Sequence, residues 1–185
     1  MSNPFASCGG ATRLTASTIV AAVVVSGSHV LRVEGYSHTK GLWNGKFVAS
    51  ESFAVGGHRW CLQYYPDSSS SDNSDSVTIS LNLVSSNLGY VEATYTISFL
   101  DQEGNPSPSC TCTSRRHKFT VGKQTSSGFD LVIRRSDLEE SGYLKDDAFS
   151  VDAFSVACDV TVVKKIITKA IPASEACRWF MKQQK

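Results

Sequence analysis

The feature that most constrains the fold is a strict alternation of apolar and polar residues in two neighbouring stretches of the chain. In residues 77–83, valine, isoleucine and leucine occupy every second position, with threonine, serine and asparagine between them. Residues 90–100 repeat this alternation with a larger share of aromatic side chains. Successive side chains of a β-strand point to opposite faces of its sheet, so each stretch is typical of a strand with one buried face.

Further strand-like stretches lie before and after these two, at residues 29–34, 58–65, 117–121, 129–133 and 149–163. In residues 58–65, Trp60 shares a face with Leu62 and Tyr64, which predicts that Trp60 is in the core. One short helix is predicted, beginning at a capping box with Ser136 as N-cap and ending near Gly142. Strands separated by turns, without crossover helices, predict an all-β antiparallel sandwich or barrel and exclude a parallel α/β fold.

The composition divides the chain into a flexible leader (1–18), a globular domain (19–163) and a basic tail with a short helix (164–185). The apolar run at residues 19–25 is too short to span a membrane, and its β-branched residues favour a strand over a secretory signal. Residues 67–76 are mostly serine and aspartate, which predicts an exposed loop because such a stretch cannot pack a core.

Charge and cysteine content exclude several classes of function. The formal net charge is +1, so no basic surplus points to nucleic acid binding. Cys110 and Cys112 form a pair without a second ligand pair at suitable spacing, so neither a metal nor another cofactor is expected. Cys61 and Cys158 lie in apolar strand patterns, as reduced cysteines do, which favours the nucleus and/or the cytoplasm. Neither the histidines nor the serines form a catalytic motif, and no enzyme activity or membrane association is predicted.

Five segments have an order, a spacing and a set of turns that belong together: residues 27–40 (GSHVLRVEGYSHTK), 55–66 (VGGHRWCLQYYP), 95–104, 128–138 (GFDLVIRRSDL) and 143–163. Together they resemble the MATH domain of plant BTB/POZ-MATH proteins and, more distantly, that of speckle-type POZ proteins. The resemblance covers residues 19–163, and it rests on the whole set rather than on one motif.

The resemblance implies a TRAF-like antiparallel β-sandwich of about seven to eight strands with one short helix. It also implies a shallow groove on one sheet that binds extended, serine-rich peptides of client proteins. In the family, a BTB domain that follows the MATH domain recruits a cullin, and the bound client is ubiquitinated. The expected function is therefore non-catalytic recruitment of ubiquitin ligase substrates.

The resemblance places nine residues at this peptide-binding groove: Gln63, Ser76, Tyr95, His117, Phe119, Lys123, Ser127, Gly128 and Phe129. Some depart from the family pattern. Ser76 and His117 stand where tyrosines are expected, Gln63 replaces a basic residue, and Ser127 replaces a tryptophan. Because stacking surface is lost at several points, we expect the groove but not the family's peptide specificity.

Too few residues follow Val163 to form a BTB domain, so direct cullin binding is not expected. The chain is interpreted as a stand-alone MATH protein, a fragment or a truncated copy that competes with BTB/POZ-MATH relatives for clients. The alternative is a TRAF-like structural module that oligomerises, although no heptad repeat precedes the domain. A deubiquitinase would need a protease domain that this sequence lacks. A further hypothesis is that residues 66–70, which fit the family's peptide pattern, occupy the groove themselves.

Overall fold

The structure is a computed structural model, and the residues it describes are 16–20, 23–41, 45–68, 75–122, 130–147, 150–164, 167–172, 174–175, 178 and 182. The chain divides into two compact units. The larger is Val24–Lys164, and the smaller combines Met1–Val23 with Lys165–Lys185.

The described residues form thirteen strands, a single turn of 3-10 helix (Tyr36–Thr39) and one α-helix, α1 (Arg135–Glu140). The strands are β1 (Ala16–Val20), β2 (Val23–Val33), β3 (Val48–Ala49), β4 (Phe53–Val55), β5 (His58–Tyr65), β6 (Ser76–Ser85), β7 (Val91–Leu100), β8 (Pro106–Thr113), β9 (His117–Phe119), β10 (Leu131–Arg134), β11 (Lys145–Asp147), β12 (Ser150–Lys164) and β13 (Ile167–Ile171).

The first sheet of the larger unit has the strand order β10-β6-β5-β3, and β4 also pairs with β5. Every pair in this sheet is antiparallel. At its centre, Gln63 lies opposite Ser80 and Tyr65 lies opposite Thr78. Since side chains alternate along a strand, this register places Gln63, Ser80, Tyr65 and Thr78 on the face away from Leu62, Ile79 and the core.

The second sheet has the order β11-β12-β7-β8, with β2 also paired to β12 and β9 also paired to β7. The apolar faces of the two sheets pack together into one core. Trp60 is fully buried there, and its ring lies perpendicular to that of Phe119 on β9, with 5.0 Å between the centroids. The indole N–H of Trp60 donates to the Val55 carbonyl at 3.1 Å. The prediction that Trp60 is in the core is confirmed.

A two-residue hairpin turn joins β4 to β5 and requires glycine. Gly56 and Gly57 have φ angles of 66° and 85°, in the left-handed region that favours glycine. A Cβ on Gly56 would lie 2.7 Å from the Cβ of Val162 on β12. The turn therefore packs closely against the opposite sheet, which only a residue without a side chain allows.

Arg135, the first residue of α1, holds both ends of the serine-rich loop that joins β5 to β6. Its side chain donates to the Pro66 carbonyl at 3.0 Å and forms an ion pair with Asp67. Its backbone N–H donates to the Asp75 carbonyl at 3.0 Å. The Arg135 and Asp67 side chains are only 15% and 7% exposed, so this ion pair is shielded from solvent.

The predicted capping box at Ser136 is wrong. The helix begins at Arg135, its N-cap is Arg134, and no side chain caps it. Ser136 lies inside the first turn, and its hydroxyl donates to the Asp137 carboxylate at 3.2 Å. Because β10 runs directly into the helix, the backbone of Arg134 occupies the position that the sequence pattern assigned to Ser136.

The smaller unit contains one antiparallel strand pair, β1 with β13, in which Ala16 lies opposite Ile171 and Val20 opposite Ile167. Residues 19–20 lie in β1 and residues 23–25 in β2, which confirms the prediction of strand structure for the described residues of the apolar run 19–25. Four tail residues that the structure describes, Ser174, Glu175, Arg178 and Lys182, have helical conformation.

The prediction of an all-β antiparallel sandwich with a single short α-helix is confirmed for the described residues. They contain more strands than the seven to eight expected, because several strands are only two or three residues long. Among these residues no helix has the length and hydropathy needed to cross a membrane.

Candidate functional site

The outer face of the β5–β6 pair is polar and nevertheless buried. Cys61, Gln63, Thr78 and Ser80 point away from the core, and each is less than a tenth exposed. Gln63 accepts a hydrogen bond from the Tyr65 hydroxyl at 3.2 Å. A buried polar row of this kind is costly unless it binds something, because buried polar groups need hydrogen-bond partners. We call Gln63, Thr78, Ser80, His117 and Asp130 the polar floor.

Asp130 joins the two sheets at one end of the polar floor. It directly precedes β10, and its carboxylate accepts a hydrogen bond from the Ser80 hydroxyl on β6. His117 on β9 of the other sheet also acts on Asp130 through its charge. Burial raises the pKa of Asp130, and the Ser80 hydrogen bond and His117 oppose that shift. Burial lowers the pKa of His117, against the influence of Asp130.

Two polar atoms of the floor lack hydrogen-bond partners in the part of the chain that the structure describes. They are the Thr78 hydroxyl oxygen and Nε2 of His117, and both atoms are buried. Thr78 is 1% exposed and lies two residues from Ser80 on the same face of β6. Buried atoms of this kind are rare in folded proteins, and they mark positions where a ligand can supply the missing bond.

A cleft of about 580 Å³ lies beside β10. Its walls come from β6, β8, β10, α1 and the turn after α1, namely Ser76, Ser109, Cys110, Val132, Ile133, Arg134, Asp137, Ser141 and Tyr143. Tyr143 closes one side, where its hydroxyl lies 3.1 Å from that of Ser109. Val132 connects the cleft to the polar floor, since it lines the cleft and lies opposite Thr78 across the β6–β10 ladder.

The geometry does not form a catalytic centre among the described residues. Ser80 donates to Asp130, and no hydrogen bond joins Ser80 to His117, so the serine–histidine pair of a catalytic triad is not formed. Burial raises the pKa of the Cys110 thiol to about 11, which keeps it protonated and unreactive. No group of three potential metal ligands occurs in the described ranges. The polar floor and the cleft are therefore suited to binding.

A model of the MATH domain family matches residues 28–154, which include most of both sheets. This chain belongs to the MATH domain family. The MATH domain is a protein-interaction module, and the polar floor lies within the matched range.

The curated relatives are plant proteins with two kinds of domain. BTB/POZ and MATH domain-containing protein 5 of Arabidopsis thaliana is 35% identical over an alignment of 145 residues that covers 75% of this chain and 34% of that protein. Protein 4 of the same series is 33% identical over an alignment of 164 residues that covers 80% of this chain and 32% of that protein. The chain therefore spans about a third of the length of these relatives. Among solved structures, TRAF5 of Notothenia coriiceps is 17% identical with a TM-score of 0.47, over 76% of this chain and 74% of that one.

The predicted groove residues of this MATH domain fall into three groups. Gln63 and Ser76 lie on the outer face of the first sheet. His117, on β9 of the second sheet, interacts electrostatically with Asp130, whose carboxylate accepts a hydrogen bond from Ser80. Tyr95 and Phe119 are instead in the core, 2% and 1% exposed, with 5.8 Å between their ring centroids. A peptide reaches those two rings, like the equally buried Thr78 hydroxyl, only if neighbouring atoms move. The remaining predicted residues, Lys123, Ser127, Gly128 and Phe129, lie outside the described residues.

Sequence reasoning missed three residues of the polar floor: Thr78, Ser80 and Asp130. The first two were visible as the polar half of an alternating strand, a pattern that is typical of a solvent-exposed face. Asp130 had one available signal, an acidic residue between Phe129 and the apolar β10. Its environment depends on Ser80 and His117, which are distant in sequence, so the pattern alone could not indicate its role.

Proposed function

We propose that this MATH domain recognises an extended peptide of a client protein along the polar floor and the adjoining cleft. The observation that carries the proposal is the buried polar outer face of β5 and β6, with its unpartnered Thr78 hydroxyl. A sheet face rich in hydroxyl and amide groups is suited to hydrogen bonding with a polar, serine-rich chain.

The edge of the sheet supports the same proposal. Within the described residues, β10 pairs only with β6, so its other edge has main-chain groups that are free of ladder bonds. The cleft runs along that edge. An extended peptide that lies there gains main-chain hydrogen bonds from β10, while alternate side chains enter the cleft or lie over the polar floor.

The proposed cellular role is client recruitment for cullin-based ubiquitin ligases, without chemistry of its own. Its support is the likeness to proteins whose names combine BTB/POZ and MATH domains. The proposed site of action is the nucleus and/or the cytoplasm. BTB/POZ-MATH relatives are proposed as competitors for the same clients.

The first test is an array of serine-rich ten-residue peptides probed with the full chain and two matched variants. Val132 on β10 is 52% exposed and lies at the cleft, whereas Val30 on β2 is 55% exposed in the other sheet. We expect Val132→Glu to lose peptide binding and Val30→Glu to keep it. Absence of binding to every peptide, or equal losses in both variants, would refute the proposal. Light scattering on the same samples tests the alternative, a module that oligomerises.

A further inference from the structure

The polar floor is unusual for a buried site, because it contains a carboxylate and, among the described residues, no lysine or arginine to pair with it. The Asp130 carboxylate is largely buried, and the groups that act on it are the Ser80 hydroxyl and the His117 imidazole. Among the described residues, no lysine or arginine shifts the pKa of this carboxyl. An isolated buried carboxylate is unfavourable, and neutral hydrogen-bond donors offset only part of that cost.

The other floor residues do not supply the missing positive charge. Gln63, on the strand next to Ser80, is neutral and already accepts from Tyr65. Cys112 on β8 is the other titratable neighbour of Asp130. Burial, and secondly the charge of Asp130, raise the pKa of the Cys112 thiol. The three elements that face the carboxylate, β6, β8 and β9, therefore contribute a hydroxyl, a thiol and an imidazole.

The unpartnered atoms around Asp130 are suited to a ligand with several N–H donors. The Thr78 hydroxyl oxygen accepts hydrogen bonds, and Nε2 of a neutral imidazole does the same. An arginine side chain has five N–H donors in a planar fork, enough for a carboxylate and two further acceptors. A lysine ammonium has three donors and the same charge.

We propose that Asp130 binds an arginine or lysine side chain of the client peptide, with Thr78 and His117 as additional acceptors. This inference rests on the proposed function, since it specifies one residue of the peptide that the domain would recognise. It predicts that clients combine serine-rich segments with a basic residue. An acidic residue or a phosphate group at that position would be rejected, because it would face the Asp130 carboxylate.

The test compares peptides that differ only in charge. Each position of a serine-rich ten-residue peptide is replaced in turn by arginine or by citrulline, its neutral isostere, and affinity for the full chain is measured by fluorescence polarisation. At one position we expect arginine to bind about tenfold more tightly than citrulline. That difference should shrink as sodium chloride is raised, since salt screens partly exposed charges.

Two isosteric variants locate the effect. Asp130→Asn should remove the arginine preference, so that the arginine and citrulline peptides bind with equal affinity. Glu51→Gln removes one negative charge from an exposed loop outside the polar floor and the cleft and should keep the preference. Thermal unfolding of both variants verifies that each is folded.

The outcomes separate the two proposals. Equal affinity of arginine and citrulline peptides at every position overturns the cation site but not peptide recognition. A preference that survives Asp130→Asn, or one that is equally lost in Glu51→Gln, also overturns it. If no peptide binds at all, both proposals fail together.

Discussion

The two faces of the β5–β6 strand pair are about equally buried, but their chemistry differs. The inner face, with Trp60, Leu62, Ile79 and Leu81, is apolar and packs against the other sheet. The outer face has Gln63, Thr78 and Ser80, and the Thr78 hydroxyl has no hydrogen-bond partner among the described residues. The inner face lowers the free energy of folding by burying apolar surface, whereas the outer face adds little stability in the unbound domain. Stability and recognition are thus assigned to opposite sides of the same strands.

The largest effect is expected from the inner face. Trp60→Ala should lower the free energy of unfolding by about 3–5 kcal/mol, because it leaves a cavity beside Phe119 and removes the hydrogen bond to Val55. Urea denaturation measures this change. Val84→Ala, at an exposed position of β6, is the control and should change stability by less than about 0.5 kcal/mol. A loss below about 1 kcal/mol for Trp60→Ala would show that the core assignment is mistaken.

The second prediction tests whether a buried polar group that has a partner contributes to stability as the apolar inner face does. Arg135→Met removes the ion pair with Asp67 and the bond to the Pro66 carbonyl. The uncompensated Asp67 carboxylate should lower stability by about 2–4 kcal/mol. The double variant Arg135→Met/Asp67→Asn should recover part of this loss, which calorimetry can measure. No recovery would mean that the guanidinium acts mainly through its packing.

A smaller effect separates paired from unpaired groups on the outer face. Thr78→Val replaces an unpartnered hydroxyl by a methyl group, so stability should stay equal or rise by up to about 1 kcal/mol. Ser80→Ala removes the donor to Asp130 and should lower stability by about 1 kcal/mol. Urea midpoints of the two variants provide the comparison. If Thr78→Val is the more destabilising of the two, then the Thr78 hydroxyl has a partner in the folded protein.

The smallest effect concerns pH. Burial, with Lys164 as a secondary cause, lowers the pKa of His58 below its ordinary value of 6.5. The unfolded chain therefore binds more protons than the folded domain just below that value, and stability should fall as pH decreases from about 6.5. Urea midpoints between neutral pH and pH 5 measure the slope, and His58→Gln should make it shallower. An unchanged slope in this variant would assign the effect to His29 and His117, whose pKa values burial also lowers.

Much of the fold could be predicted because it follows from local alternation. The pattern of residues 77–83 and 90–100 predicts β6 and β7, and the Gly56-Gly57 pair predicts the turn before β5. The thiols of Cys61 and Cys158 are buried and free, as their apolar surroundings predict. These features depend on a few neighbouring residues, and local sequence contains that information.

The parts that sequence could not predict depend on contacts between distant segments. The pairing of β1 with β13 joins opposite ends of the chain. The polar side of β6 reads as an exposed face, yet it is buried. Of the groove residues that the resemblance selected, Gln63 and Ser76 lie on the outer face of the first sheet, whereas Tyr95 and Phe119 lie in the core. The alternating pattern predicts on which face of its own strand a side chain lies. It does not predict which distant residues cover that face.

The hydrogen bonds and the ion pair that join Arg135 to both ends of the β5–β6 loop have a consequence for protein engineering and for evolution. Because Pro66, Asp67 and Asp75 are anchored by one residue, the span between them is fixed independently of the number of residues in between. Extra length in such a loop costs only the entropy of closing a longer chain, about 0.6 kcal/mol for each doubling. Peptide tags or recognition sequences inserted between Ser68 and Asp75 should therefore leave the sandwich intact. Duplicated copies of this domain would be free to diversify at that point without losing their fold.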